Sequence, residues 1–176
     1  ARLLLASDFG DAPLPYPTTL AQGGAEHVTG GALMLGVTVD SEADGTLSWV
    51  AADADGADED GVTFGTMAVG ALDAQVTVNV QGSAPGAAKL DAWVDFNGDG
   101  SWGGPGEQIF SSHNVVDGDN VLTLDVPSYA IAGTTYARFR VSTVGGSGGL
   151  GVGGAAADGE VEDYQVTIEN PAASSG

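Results

Sequence analysis

The stretch Lys89-Leu90-Asp91-Ala92-Trp93-Val94-Asp95-Phe96-Asn97-Gly98-Asp99-Gly100 decides the fold. Its first half alternates. Leu90, Ala92 and Val94 fall on one side of an extended chain, and Asp91, Trp93 and Asp95 on the other, as in a strand with one face in a core. Its second half puts an oxygen-bearing side chain at every second residue and closes on glycine, so that Asp95, Asn97 and Asp99 converge. Hard cations such as Ca²⁺ take six to eight oxygen ligands, and alternating Asp and Asn before Gly is the front half of a calcium loop. Glu107 is positioned to close it. An EF-hand would place that glutamate at loop position 12, one residue earlier, and would flank the loop with helices. The spacing here predicts a calcium loop between strands.

Outward from this unit the same alternation recurs. Residues 75–80 send Val76, Val78 and Val80 to one face; residues 135–143 bury Ala137, Phe139 and Val141 and present Tyr136, Arg138 and Arg140; Tyr164, Val166 and Ile168 define a last strand. Weaker strand signals lie at 27–35, 61–67, 107–115 and 121–127. Glycine, with 29 of 176 residues, is more than twice as common as its usual share of about 7%, which argues against long helices. The expected architecture is all-β: a single antiparallel β-sandwich of about eight or nine short strands with long calcium-binding loops. It spans residues 1–170, and 171–176 form a flexible tail. Each sheet of such a sandwich is expected to bury one face only, and the small-residue stretches 82–88 and 145–154 read as surface loops or linkers.

Charge narrows the function. The chain carries 24 Asp and Glu against 4 Lys and Arg, a formal net charge of −20. No basic patch exists to displace phosphate counter-ions, so nucleic acid is not an expected partner. Disorder is not expected either, because 43% of the residues are hydrophobic and are ordered into alternating runs. Two carboxylates about 4 Å apart repel by about 4 kcal/mol at an effective dielectric near 20, so acidic residues folded into one loop call for a cation. With two histidines and no cysteine, zinc clusters and His-based catalytic triads have few residues to draw on. A carboxylate pair at any chosen separation is uninformative in so acidic a chain, and the chain reads as non-enzymatic.

Several further acidic groups are candidate metal ligands beside Asp95, Asn97, Asp99 and Glu107. They are Asp53, Asp55, Asp58, Glu59 and Asp60 in one loop; Asp40, Glu42 and Asp44 in another; Asp158, Glu160, Glu162 and Asp163 before the last strand; and Asp8 and Asp11 near the start. Several Ca²⁺ ions are therefore expected. Counting back by twos from Ile168 places Glu162 and Glu160 on the core side of the last strand. They then require a cation, or Arg138 or Arg140 from a neighbouring strand. Trp49, Trp93, Trp102, Tyr16 and Tyr129 offer an alternative, as stacking surfaces for a glycan, although Trp93 and Trp102 bracket the loop and are expected to cover it. His27 reads as a structural hydrogen-bonding residue.

Taken in order, Asp8-Phe9-Gly10-Asp11-Ala12-Pro13, Gly23-Gly24-Ala25-Glu26-His27, Asp40-Ser41-Glu42-Ala43-Asp44-Gly45, Asp58-Glu59-Asp60-Gly61-Val62, Trp93 to Gly100, Gly106-Glu107-Gln108-Ile109-Phe110, Tyr136-Ala137-Arg138-Phe139-Arg140 and Gly159-Glu160-Val161-Glu162-Asp163-Tyr164 resemble the GEVED domain of bacterial secreted and surface proteins. The resemblance spans residues 8–168. It implies a calcium-bound β-sandwich in a large extracellular protein, including repeats-in-toxin type adhesins, where it serves as a rigid spacer or as a platform for an inserted ligand-binding domain. The implied partners are neighbouring domains of the same polypeptide, at an extracellular or bacterial cell-surface location. The fragment itself is expected to be monomeric, without membrane insertion. A calcium-dependent carbohydrate-binding module is the alternative.

Overall fold

The computed structural model describes residues 6–39, 41–45, 60–143 and 149–171. Asp40, Asp53, Asp55, Asp58, Glu59, Trp49 and the tail from 172 lie outside them. The described residues are all-β, and no helix among them is long and apolar enough to cross a membrane. Twelve strands are present among them: β1 (Ser7–Phe9), β2 (Ala25–Val28), β3 (Met34–Leu35), β4 (Val62–Phe64), β5 (Met67–Ala68), β6 (Ala74–Gln81), β7 (Lys89–Val94), β8 (Gln108–Asn114), β9 (Gly118–Leu124), β10 (Gly133–Ser142), β11 (Gly154–Ala156) and β12 (Glu160–Glu169).

They form three sheets rather than the two of a simple sandwich. The central one runs β5-β12-β10-β7-β8. A second is built on β6, with β9 along one side and β3 and β4 along the other. The third is β1-β2-β11. Nor is the pairing wholly antiparallel, since β11 lies parallel to β2 and β5 parallel to β12.

The main core lies between the first two sheets. Val76, Val78 and Val80 of β6 meet Leu90, Ala92 and Val94 of β7, Ala137, Phe139 and Val141 of β10, and Val166 and Ile168 of β12. The alternation in the sequence names these residues correctly. Burying each of the valine, leucine, isoleucine and phenylalanine side chains among them contributes roughly 1.5–3 kcal/mol, so this interface dominates the stability of the fold.

The other face of the central sheet departs from expectation. Asp91, Arg138, Arg140 and Asp163 point away from the main core and are still fully buried. The N-terminal segment and the glycine-rich return at 149–156 cover them. Burial of so much charge is tolerable only with full pairing. Arg138 makes a bidentate pair with Asp163, both contacts at 2.7 Å, and donates to Pro17 O and Val152 O. Arg140 donates to the carbonyls of Gly151, Gly153 and Gly154 and to His27 Nε2. The described part of the glycine-rich stretch is therefore held by two buried guanidinium groups and is not a free linker. His27 keeps Nδ1–H for Asp158 O at 2.7 Å. Its burial, with Arg140 beside it, lowers its pKa from 6.5 to about 3, so it is the neutral structural residue expected.

β3 and β4 share one strand position opposite β6. Leu35 pairs with Val80 and Val62 with Val78, and between them Gly36 N donates to Asn79 O while Asn79 N donates to Gly61 O. Gly36 sits at φ 61°, and a Cβ there would stand 1.7 Å from Asp60 Oδ1, so only glycine fits. The points where the chain leaves this strand position and returns to it, Gly36 and Gly61, are therefore neighbours.

Candidate functional site

The period-two strand β7 ends at Val94, and Asp95 is the first residue past it. Backbone groups of the following turn close on its carboxylate. Oδ1 accepts from Gly98 N at 2.7 Å and Asp99 N at 3.2 Å, and Oδ2 accepts from Gly100 N at 2.9 Å. A fourth donor comes from far away in sequence: Tyr16 O–H, 2.5 Å from Oδ2. Asn97 and Asp99 are linked through Asn97 Nδ2 and Asp99 Oδ2 and through Asp99 N and Asn97 Oδ1. Glu107 returns to this turn just ahead of β8.

Asp95, Asp99 and Glu107 each offer a carboxylate oxygen, and these oxygens lie within 4.8 Å of one another. No other such acidic group is brought together among the described residues. Glu107 is fully buried. Its Oε2 accepts from Gly104 N at 2.8 Å, and its Oε1 is buried with no hydrogen bond of ordinary geometry. Burial raises the Glu107 pKa; Asp95 and Asp99 raise it further, while the amides of Gly104 and Asn97 hold it down. An unmatched buried carboxylate oxygen costs about 1–3 kcal/mol or more. The set of three carboxylates and a neighbouring amide oxygen suits a hard, oxygen-seeking divalent cation.

The remaining candidate ligands are placed elsewhere. Glu160 and Glu162 do face the sheet of β6, as the parity count required. Backbone amides donate to both. Leu35 N reaches Glu160 Oε2 at 2.6 Å, and Asp60 N and Gly61 N reach Glu162 Oε1 at 3.0 and 3.1 Å. These are the amides at the break between β3 and β4. Tyr164 O–H also donates to Glu162 Oε2. Asp163 looks the other way, toward Arg138, and also accepts from Ala12 N. Asp158 receives the Thr143 amide and hydroxyl. Asp8 accepts from Val161 N at 2.7 Å, so β1 and β12 are joined there; Asp11 is also buried. Glu42 accepts from Phe9 N, Asp44 from Leu20 N, and Asp60 from Val37 N and Thr38.

Trp93 and Trp102 are buried with Tyr16 and Ala12, which removes three of the proposed stacking surfaces. Tyr129, by contrast, is 48% exposed. Tyr16 as a partner of Asp95 was not foreseen. The signal available was its place in Pro13-Leu14-Pro15-Tyr16-Pro17, where prolines limit the backbone around an aromatic with a polar tip.

The GEVED domain family model matches residues 89–167. That span runs from β7 to near the end of β12 and contains Asp95, Asp99, Glu107, Arg138, Arg140 and the Gly159-Glu160-Val161-Glu162-Asp163 run. No curated protein and no solved structure matches the chain.

Proposed function

We propose that this chain is a non-enzymatic, calcium-stabilised module of a bacterial extracellular adhesin or surface protein, acting as a rigid spacer or as a platform for neighbouring or inserted domains. The observation that carries this reading is the meeting of Asp95, Asp99 and Glu107, with a fully buried carboxylate oxygen of Glu107 left unmatched. Asp95, Asp99 and Glu107 would hold the ion, with Asn97 as the neutral oxygen beside them. The ion supplies positive charge where the chain has gathered negative charge. The residues do the rest. The amides of Gly98, Asp99 and Gly100 fix the Asp95 carboxylate, Gly104 fixes Glu107, and Trp102 and Tyr16 exclude water from one side. The match to the GEVED family and the net charge of −20 support the same reading. The carbohydrate-binding alternative has less support, since Trp93, Trp102 and Tyr16 are internal.

A ligand that binds only the folded state stabilises it by about 2.7 kcal/mol at a free concentration 100-fold above its dissociation constant. Thermal unfolding followed by circular dichroism, with calcium and with excess EDTA, is the test. Chelation lowers the transition, and E107Q lowers it in calcium while being less sensitive to EDTA than wild type. An identical transition with and without chelator refutes the proposal.

A further inference from the structure

Residues 12–17 contain no strand, yet they are fastened at both ends and along their length. Ala12 N donates to Asp163 Oδ2 at 2.9 Å, and Arg138 Nη1 donates to Pro17 O at 2.8 Å. Between them the Tyr16 ring lies 4.4 Å from that of Trp102 and 5.4 Å from that of Tyr136. Trp102 is fixed in turn by its Nε1–H to Tyr136 O at 3.0 Å and by the Arg138 guanidinium 4.6 Å above its ring. Pro15 packs so closely on the acidic loop that a Cβ on Gly100, whose φ is 80°, would stand 2.6 Å from Pro15 Cγ. The tip of this assembly is the Tyr16 hydroxyl on Asp95 Oδ2. Both side chains are almost completely buried.

We propose that Tyr16 is a positioning residue of the cation site, and that residues 12–17 are a strap whose docking is coupled to the cation held by Asp95, Asp99 and Glu107. This rests on the calcium reading above. The Tyr16 hydroxyl fixes Oδ2 of Asp95 together with the Gly100 amide, which sets the rotamer of the carboxylate. Donors that orient a ligating carboxylate matter to the metal: their loss typically costs 10–100-fold in affinity. The coupling also runs in the other direction. With the cation, three carboxylates are held together and Asp95 stays beneath Tyr16. Without it their repulsion opens the loop and takes the acceptor from a buried hydroxyl, and the strap loses its anchor. By linkage, the factor by which a docked strap tightens the cation is the factor by which the cation tightens the strap.

The test uses the intact chain. Calcium affinity is measured by titration calorimetry for wild type and Y16F, and hydrogen exchange is followed at the Tyr16 amide, which donates to Pro13 O at 3.1 Å. Y16F removes one oxygen and leaves the ring against Trp102. The expected results are a dissociation constant raised about tenfold or more in Y16F, calcium-slowed exchange at Tyr16 in wild type, and exchange far less sensitive to calcium in E107Q. Should Y16F fail to fold, the exchange comparison between wild type and E107Q decides alone. Calcium uptake by wild type with Tyr16 exchange unchanged, or wild-type affinity in a folded Y16F, refutes the coupling and leaves the cation reading standing. Absence of calcium binding in wild type refutes the cation reading, and the coupling with it.

Discussion

Replacing Arg138 with glutamine is the most severe single change to the charged layer. Arg138 and Asp163 both have side chains without solvent exposure and meet through two 2.7 Å contacts. R138Q strands the Asp163 carboxylate with fewer donors, deprives Pro17 O and Val152 O of theirs, and removes the cation above Trp102. Breaking a buried ion pair from one side costs about 3–5 kcal/mol. A domain of this kind has about 5–15 kcal/mol in all, so a large share of the folding free energy is lost. At about 2–4 °C per kcal/mol for 150–250 residues, the melting temperature falls by roughly 6–20 °C. The assay is urea and thermal unfolding of wild type, R138Q, D163N and the double variant at one fixed calcium concentration. A double-mutant cycle isolates the pair, and the double variant should be less destabilised than the two single effects summed. If R138Q lies within about 1 kcal/mol of wild type, or the coupling is near zero, the account of the buried face is wrong.

Two further outcomes follow from the meeting point of β3, β4 and β12. Burial lifts the Glu162 pKa from 4.5 to about 7, against the pull of the Tyr164 hydroxyl and the Gly61 and Asp60 amides. A carboxyl with a raised folded pKa stabilises fully below its unfolded pKa and loses that contribution as pH rises through the folded one, here up to about 3 kcal/mol between about pH 4.5 and 7. Urea unfolding across that window in chelator should show E162Q relieved of the decline, and equal slopes for wild type and E162Q would overturn the assignment. G36A forces a Cβ into a left-handed backbone and onto Asp60, and should cost about 2 kcal/mol or more. A loss under about 0.5 kcal/mol, the usual range for an innocuous surface change, would mean that the contact between Gly36 and Asp60 is not rigid.

The main core was legible because one apolar face leaves a period-two trace. Val76, Val78 and Val80, or Leu90, Ala92 and Val94, could hardly be read otherwise. The acidic turn from Asp95 to Gly100 was legible for a similar reason, since local spacing alone determines that its oxygens converge. The second buried face left no such trace. Arg138 and Arg140 alternate with core residues just as a solvent-facing pair would, and what makes them internal is Asp163, His27 and the carbonyls of 151–154, all distant in sequence. Parity placed Glu160 and Glu162 on the correct side of β12 but could not name their donors, which exist only because a neighbouring strand position is interrupted. Tyr16 was hidden likewise, because its partner Asp95 lies on the far side of the chain order.

Gly36 and Gly61 give the polypeptide a single doorway out of the β6 sheet and back into it. Because the exit and the return lie side by side, the ladder on either side of the break keeps its register on β6. Glu42 and Asp44, which lie between the two glycines, tie this part of the chain back to Phe9 and Leu20, while the glutamates of β12 hold the frame shut from behind.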